Sequence, residues 1–295
     1  MAQVKGCAHG SGSHAGLRPC LASATARPRA WLLLEHPGPW PERIEWLGLP
    51  IIAEAERHGV RTQLIRRTGR RRAAHPIQMY AGWSGPGPWL EGRVLEDPAE
   101  LAELDLAAVA RGLRPGFGTP VDHPLFLLCT HGKRNVCCAT TGAPLARQLA
   151  GRFPETVWET SHVGGDRFAA NLVCLPHGLY YGELDAAHAD AAVRAYLRGE
   201  VVLDRFRGRA GLPEPAQAAE HFVRQRTGLL GVDEVTVESV TGSGPFTALV
   251  SAGGSRWSGT VEPIEFPASS GGVCDDTVQT YQIRDLALHS EAALV

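Results

Sequence analysis

Residues 125–160, LFLLCTHGKRNVCCATTGAPLARQLAGRFPETVWET, are the stretch that decides the fold. They open with an uninterrupted apolar run, Leu125–Cys129, whose length is typical of a fully buried strand. Ala143–Phe153 then has the composition of a short helix, and Thr156–Thr160 has that of a second strand. A helix between two strands of one sheet predicts a parallel pair with a right-handed crossover.

The segment upstream of residue 125 predicts the same order of strands and helices as the segment that begins there. Beyond residue 160 the sequence predicts a hairpin of Asn171–Leu175 and Leu179–Gly182, and then a closing helix, Asp185–Arg198. The upstream elements are, in order, Ala30–Glu35, Glu42–His58, Val60–Arg66, Ile77–Trp83, Leu90–Glu96 and Pro98–Arg111, the last capped by Asp97. Both segments follow the order strand, helix, strand, strand, strand, helix. This order predicts two copies of one thioredoxin-like arrangement with a mixed sheet.

The chain of 295 residues has room for two such units and an appendage. Residues 1–28, rich in Gly, Ala, Ser, Arg and His, predict a flexible N-terminal arm. The two α/β units are assigned to residues 29–118 and 119–205. Residues 206–295 predict a helix, Pro215–Thr227, followed by a small antiparallel sheet. The predicted fold class is therefore α/β, with two thioredoxin-like units, mixed sheets and a C-terminal β appendage.

Composition narrows the possible partners. The 29 Lys+Arg and 31 Asp+Glu give a net charge of −2, so we expect no nucleic acid partner. No stretch reaches the roughly 18 apolar residues of a spanning helix, and the N-terminus has no signal-peptide core. We therefore expect a cytoplasmic protein with no membrane partner. One basic run, residues 66–72, has five Arg in seven positions, and it fits either docking of an acidic redox partner or phosphate, or a solvated loop.

Three of the seven cysteines, Cys129, Cys137 and Cys138, fall within ten positions. In a chain with no predicted secretion signal, such a cluster indicates metal or redox chemistry rather than a disulfide framework. Taken singly, Cys129 or Cys138 would more often be a small buried residue of the core. Cys174 is predicted to lie in the core, and no partner is identifiable for the remaining cysteines, Cys7, Cys20 and Cys274.

A second polar segment, SHVGGDRFAAN at residues 161–171, follows the next strand. It contains His162 and Asp166. Ligands bind at the carboxyl ends of strands in open α/β sheets, so we expect this segment to converge with the cysteines. Gly164 and Gly165 would let the backbone approach an inorganic centre closely, since they have no Cβ.

These two segments resemble the sucrase/ferredoxin-like family, whose members are relatives of the thioredoxin-like [2Fe–2S] ferredoxins. The similar features are a Cys-x-His opening at Cys129, a second Cys nine positions later, and His-x-Gly-Gly-Asp-x-Phe-Ala from His162. Three other stretches are also similar to the family: EHPGPW, LPHGLYYGEL and GLPEPAQAAEHFVR. The resemblance extends from about Cys20 to Arg224.

The resemblance implies a soluble electron-transfer protein with one [2Fe–2S] cluster. By position it implies Cys129, Cys138 and His162 as ligands, with Asp166 fourth, where the members studied most have His. Cys137 is the alternative fourth ligand. The residues expected around these ligands are His131, Gly164, Gly165 and Arg167. His131 is expected to act either as a donor to a cluster sulfur or as a turn residue, and Arg167 to offset the negative charge of the site.

Two alternatives remain open. A thiol–disulfide or peroxide-linked redox enzyme would use Cys129, Cys137 or Cys138, although no Cys-x-x-Cys motif is present. A zinc-stabilised scaffold would use the same four ligand positions. No motif identifies the carboxylate pair that a sucrase needs, so we expect an electron carrier that works with an unidentified redox partner protein.

Overall fold

The computed structural model describes residues 21–69, 76–266 and 278–289. Its strands are β1 (Ala30–Glu35), β2 (Arg61–Arg66), β3 (Ile77–Trp83), β4 (Trp89–Leu95), β5 (Thr119–Pro120), β6 (Leu125–Cys129), β7 (Val157–Thr160), β8 (Leu172–Leu175), β9 (Leu179–Tyr181), β10 (Phe206–Arg209), β11 (Val235–Thr241), β12 (Phe246–Ala252), β13 (Ser255–Phe266) and β14 (Val278–Leu288). Its α-helices are α1 (Pro50–Arg57), α2 (Leu106–Ala110), α3 (Val136–Arg152), α4 (Ala186–Leu197) and α5 (Glu214–Thr227).

The chain divides into two compact units. The larger one consists of residues 25–193 and 209–211, and the smaller one of the described residues in 21–24, 194–208 and 212–289. The units follow contacts rather than chain order, so the boundaries predicted at residues 118 and 205 stay predictions. Of the predicted N-terminal arm, residues 1–20 lie outside the described residues.

One mixed sheet runs through the larger unit, with its strands in the order β9-β8-β6-β7-β2-β1-β3-β4-β5. The parallel strand pair predicted around α3 is confirmed, because β6 pairs with β7 in parallel. The predicted hairpin is also confirmed, since β8 and β9 pair antiparallel. All five residues of β6 are buried, as expected of a strand in the middle of a sheet covered on both faces.

Strand pairing repeats within this sheet. β1 pairs in parallel with β2 and antiparallel with β3, while β6 pairs in parallel with β7 and antiparallel with β8. The order β2-β1-β3-β4 is therefore matched by β7-β6-β8-β9. The two segments share one sheet, because β2 and β7 pair antiparallel at Ile65–Thr160 and Arg66–Glu159. The predicted α/β class with a mixed sheet is confirmed, whereas two thioredoxin-like units are not.

The helices differ from the predictions more than the strands do. The helix predicted over Glu42–His58 is a short 3-10 turn, Ile44–Leu47, and a separate helix α1, because Gly48 turns the chain in a left-handed conformation between them. The helix predicted over Pro98–Arg111 is also divided, into a 3-10 turn and α2. Asp97 caps that turn as predicted, since its side chain accepts a hydrogen bond from the N–H of Ala99.

In the smaller unit, β11, β12, β13 and β14 form an antiparallel sheet in chain order. This confirms the sheet predicted for the C-terminal segment. Helix α5 packs on the sheet through Ala218, Ala219 and Val223, which share a core with Leu21 and Ala22. In the described parts of the chain, no helix combines the length and the apolar character needed to cross a membrane.

Candidate metal centre

Cys129 is the last residue of β6 and is buried, with 1% of its surface exposed. Helix α3 passes unusually close to this strand end. A Cβ on Gly142 would lie 2.0 Å from the carbonyl oxygen of Cys129, so only glycine permits this approach. The close packing brings the beginning of α3 next to the end of β6.

Cys137 and Cys138 lie in the first turn of α3, which begins at Val136. The sequence placed Cys138 just before a helix beginning at Ala143, and this prediction is wrong by two helical turns. Asn135 is the N-cap: its side chain accepts a hydrogen bond of 2.8 Å from the N–H of Cys137. Successive side chains of a helix point about 100° apart, so the two cysteines face different surroundings.

His162 follows β7 in a loop shaped by glycine. Gly164 and Gly165 have φ angles of +87° and +69°, in the left-handed region that other residues rarely adopt. A Cβ on Gly164 would also lie 2.1 Å from Oγ1 of Thr25, which donates a hydrogen bond to the carbonyl of Val163. Both glycines are therefore required for the shape of the loop.

The structure brings Cys129, Cys138 and His162 together. The Sγ atoms of the two cysteines and a ring nitrogen of His162 all lie within 4.8 Å of one another. Sγ of Cys138 is 3.9 Å from Nδ1 of His162. Both cysteines are buried and His162 is half-buried. Among the described residues these three side chains form a group that could hold a metal ion.

The two cysteines of this group have pKa values that are shifted in opposite directions. The pKa of Cys129 is held well below its usual range, chiefly by a hydrogen bond from Cys138, with smaller contributions from His162 and from the backbone of His131 and Val163. The pKa of Cys138 is raised by the same hydrogen bond to Cys129 and by burial. Cys129 therefore ionises more readily than Cys138.

His131 is buried and supports His162 through the backbone. Its Nδ1 accepts a hydrogen bond of 3.2 Å from the N–H of His162, and its Nε2 lies 2.7 Å from the carbonyl oxygen of Pro41. Nε2 is therefore the protonated nitrogen, which donates to Pro41. Burial lowers the pKa of His131, in keeping with this neutral form. The side chain contacts the loop that carries His162, and the backbone N–H is the part directed at Cys129.

Asp166 is close to this group without belonging to it. Its carboxylate accepts a hydrogen bond from the side-chain amide of Asn135. Neither Asp166 nor Cys137 is in the group of three, and the assignment of any of these five residues as a ligand stays a prediction. The sequence analysis missed Asn135, although an Asn directly before a helix is a common capping signal. The guanidinium of Arg167 lies 4.9 Å from the ring of Phe168.

A cavity of about 720 Å³ lies beside the site in the larger unit. Its wall includes Glu42, Trp46, Arg61, Thr62, His131 and His162. His162 lines this cavity, whereas Cys129 and Cys138 do not. Trp46, on the 3-10 turn, exposes 65% of its surface. The cavity therefore leads from solvent to the imidazole of the group.

The basic run after β2 begins with two arginines that make structural contacts. Arg66 forms an ion pair of 2.8 Å with Glu159 on β7, and its guanidinium lies 4.1 Å from the ring of Trp40. Arg67 donates to the carbonyl of Pro154 and stacks 3.6 Å from the ring of Trp158. These two side chains are not part of a solvated loop, and Arg70, Arg71 and Arg72 lie outside the described residues.

The fold and the site together define an α/β protein with a candidate Cys/Cys/His metal centre at the carboxyl end of a buried strand. A model of the sucrase/ferredoxin-like family matches residues 21–208 of the chain. The chain therefore belongs to the sucrase/ferredoxin-like family, as its sequence resemblance indicated. No curated protein and no solved structure matches it significantly.

Proposed function

We propose that this protein is an electron carrier with one [2Fe–2S] cluster, bound by Cys129, Cys138, His162 and Asp166. The observation that carries the proposal is the convergence of two buried sulfur atoms and one imidazole within 4.8 Å in a member of this family. Thiolate and imidazole are the donors that hold mixed-ligand [2Fe–2S] clusters.

The surroundings of the three side chains fit such a group. Backbone N–H groups of His131 and Val163 stabilise negative charge on Cys129, as they would on a metal-bound thiolate. Gly164 and Gly165 leave the loop beside His162 without side chains. Hydrogen bonds to sulfur and limited solvent access are the factors by which a protein tunes an iron–sulfur potential.

When bound, the cluster would supply one-electron chemistry. The chain itself lowers the pKa of Cys129 and keeps both cysteines away from water. It also orients His162, whose backbone N–H donates a hydrogen bond to Nδ1 of His131. A neutral imidazole in place of a thiolate reduces the negative charge at the site and raises the potential relative to four cysteines. We propose Asp166 as fourth ligand because it occupies the position where other members have His.

We also propose that the two half-sheets are thioredoxin-like repeats, of which the second carries the cluster. Their identical strand order supports this interpretation. The first repeat would hold the segment after β6 in place. The carbonyl of Pro41 accepts a hydrogen bond from His131, and the carboxylate of Glu42 lies 3.6 Å from the guanidinium of Arg134. Electrons would pass to and from a redox partner protein in the cytoplasm, at the cavity that His162 lines.

A thiol redox enzyme is the second candidate, because the hydrogen bond from Cys138 lowers the pKa of Cys129. Their burial at 1% and 0% exposure argues against it, since reactive cysteines are partly exposed. Metal analysis of protein purified without oxygen separates the candidates. Equal iron and acid-labile sulfide with visible charge-transfer absorption supports the cluster. Colourless protein with zinc indicates a zinc scaffold, and colourless metal-free protein indicates a thiol enzyme.

A further inference from the structure

Asn135 connects the two segments of the candidate site. Its Oδ1 accepts a hydrogen bond of 2.8 Å from the N–H of Cys137, and its Nδ2 donates to Oδ2 of Asp166. The first contact fixes the beginning of α3, the helix that bears Cys138. The second contact fixes a carboxylate that is 31 positions further along the chain.

The capping role alone does not require asparagine. Ser and Asp cap helices about as well as Asn, because capping needs only a side-chain acceptor. Asn alone among these three has N–H groups to donate to a carboxylate while its oxygen caps the helix. An Asp at this position would instead place a second carboxylate against Asp166. The double contact thus accounts for the residue type.

We propose that Asn135 is a positioning residue that holds Asp166 in place as the fourth ligand of the metal centre. This inference rests on the proposed function, in which the site binds metal. With the amide of Asn135 on Oδ2, the other carboxylate oxygen, Oδ1, is the one left to bind metal.

A positioning role predicts a specific pattern in metal affinity. Hydrogen-bond partners of metal ligands typically change affinity by about 10–100-fold when they are removed. Asn135→Ser keeps a capping oxygen and removes the side-chain amide that donates to Asp166, so it isolates the second contact. Asn135→Ala loses both contacts and reports their sum.

The test is a Co²⁺ titration of the apo protein, followed by the visible absorption bands of thiolate-bound Co²⁺. We expect Asn135→Ser and Asp166→Asn each to weaken binding at least about 10-fold. The double variant should bind no more weakly than Asp166→Asn alone, because Asn135 acts through Asp166. These three results together would support the inference.

Each other result would overturn it. Wild-type affinity in Asn135→Ser would show that the donor is irrelevant. If Asn135→Ser weakens Co²⁺ binding as much in the Asp166→Asn protein as in the wild type, Asn135 acts through the helix and not through Asp166. Wild-type affinity in Asp166→Asn, or no Co²⁺ binding by the wild type, would remove Asp166 as a ligand of a preformed site. The cluster itself is judged separately, by iron and sulfide in the wild type, so the two proposals fail independently.

Discussion

Cys137 and Cys138 are adjacent in the chain, but only Cys138 belongs to the candidate centre. The helical position explains the difference, since α3 turns by about 100° between them. Both are buried, at 8% and 0% exposure, so burial alone does not distinguish a ligand from a core residue. What distinguishes Cys138 is its hydrogen bond to Cys129 and its distance of 3.9 Å from Nδ1 of His162.

Serine substitutions of this pair therefore have different expected outcomes. Cys138→Ser removes a thiolate ligand that an alcohol replaces poorly, so we expect loss of visible absorption and of bound iron. Cys137→Ser changes a residue outside the group, so this variant should keep the visible absorption and the bound iron. Iron content and absorption of the two variants, purified without oxygen, provide the measurement. A colourless Cys137→Ser protein would show that the wrong cysteine was assigned.

In the proposed ligand set, Asp166 sets how much negative charge the centre carries. A carboxylate in place of a neutral imidazole adds one negative charge, and reduction adds another, which costs more in a poorly solvated site. We therefore expect Asp166→His to raise the midpoint potential and keep the cluster. Redox titration of the wild type, Asp166→Asn and Asp166→His measures this. Three equal potentials would exclude Asp166 as a ligand.

Among the elements, α3 depends most on a single close contact. Gly142→Ala would place a Cβ 2.0 Å from the carbonyl oxygen of Cys129, and the helix would have to move away from β6. We expect a loss of about 1–3 kcal/mol in the free energy of unfolding. The matched control is Gly151→Ala on the same helix, where a Cβ would meet nothing within 4 Å. Alanine has a higher helix propensity than glycine, so Gly151→Ala should stabilise the protein by up to about 1 kcal/mol.

Urea unfolding of the two apo proteins provides the measurement. Destabilisation by Gly151→Ala equal to that by Gly142→Ala would contradict the packing argument. Gly142→Ala should also reduce iron content, because Cys138 moves with the helix.

Strands were easier to predict than helices, for physical reasons. The apolar run Leu125–Cys129 coincides with β6, because a strand buried on both faces needs no alternation. The start of α3 was placed seven residues late, at Ala143 instead of Val136. Cys, Thr and Gly are weak helix formers, so residues 137–142 have little intrinsic helical signal. Pro144 suits a first helical turn, yet it lies inside the helix.

At the scale of the whole molecule, two segments that look independent in sequence share one sheet through β2 and β7. Arg66 and Glu159 form an ion pair across this junction, with side-chain exposures of only 19% and 10%. The sequence signals for helix caps and turns are local. They do not indicate which strand edges of two distant segments will pair. The sequence therefore predicted both strand sets and the convergence of Cys129, Cys138 and His162. It did not predict the shared sheet or the contact of Asn135 with Asp166.

Removal of the charge at this junction should destabilise the protein. Arg66→Met leaves the carboxylate of Glu159 poorly compensated, although Thr130 still donates to it. We expect a loss of about 1–3 kcal/mol, below the cost at a fully buried pair. Arg57→Met removes an exposed pair with Glu54, whose partners are 71% and 46% exposed, and should change stability by less than about 1 kcal/mol. Urea unfolding compares the two, and equal effects would contradict a structural role for Arg66.

The most direct test of the central claim is pulsed EPR of the reduced protein with ¹⁵N-labelled histidine. A [2Fe–2S] cluster bound by Cys129, Cys138, His162 and Asp166 predicts strong coupling to one histidine nitrogen, and its loss in His162→Cys. Absence of a strongly coupled nitrogen in the wild type, or coupling to two, would contradict this ligand set.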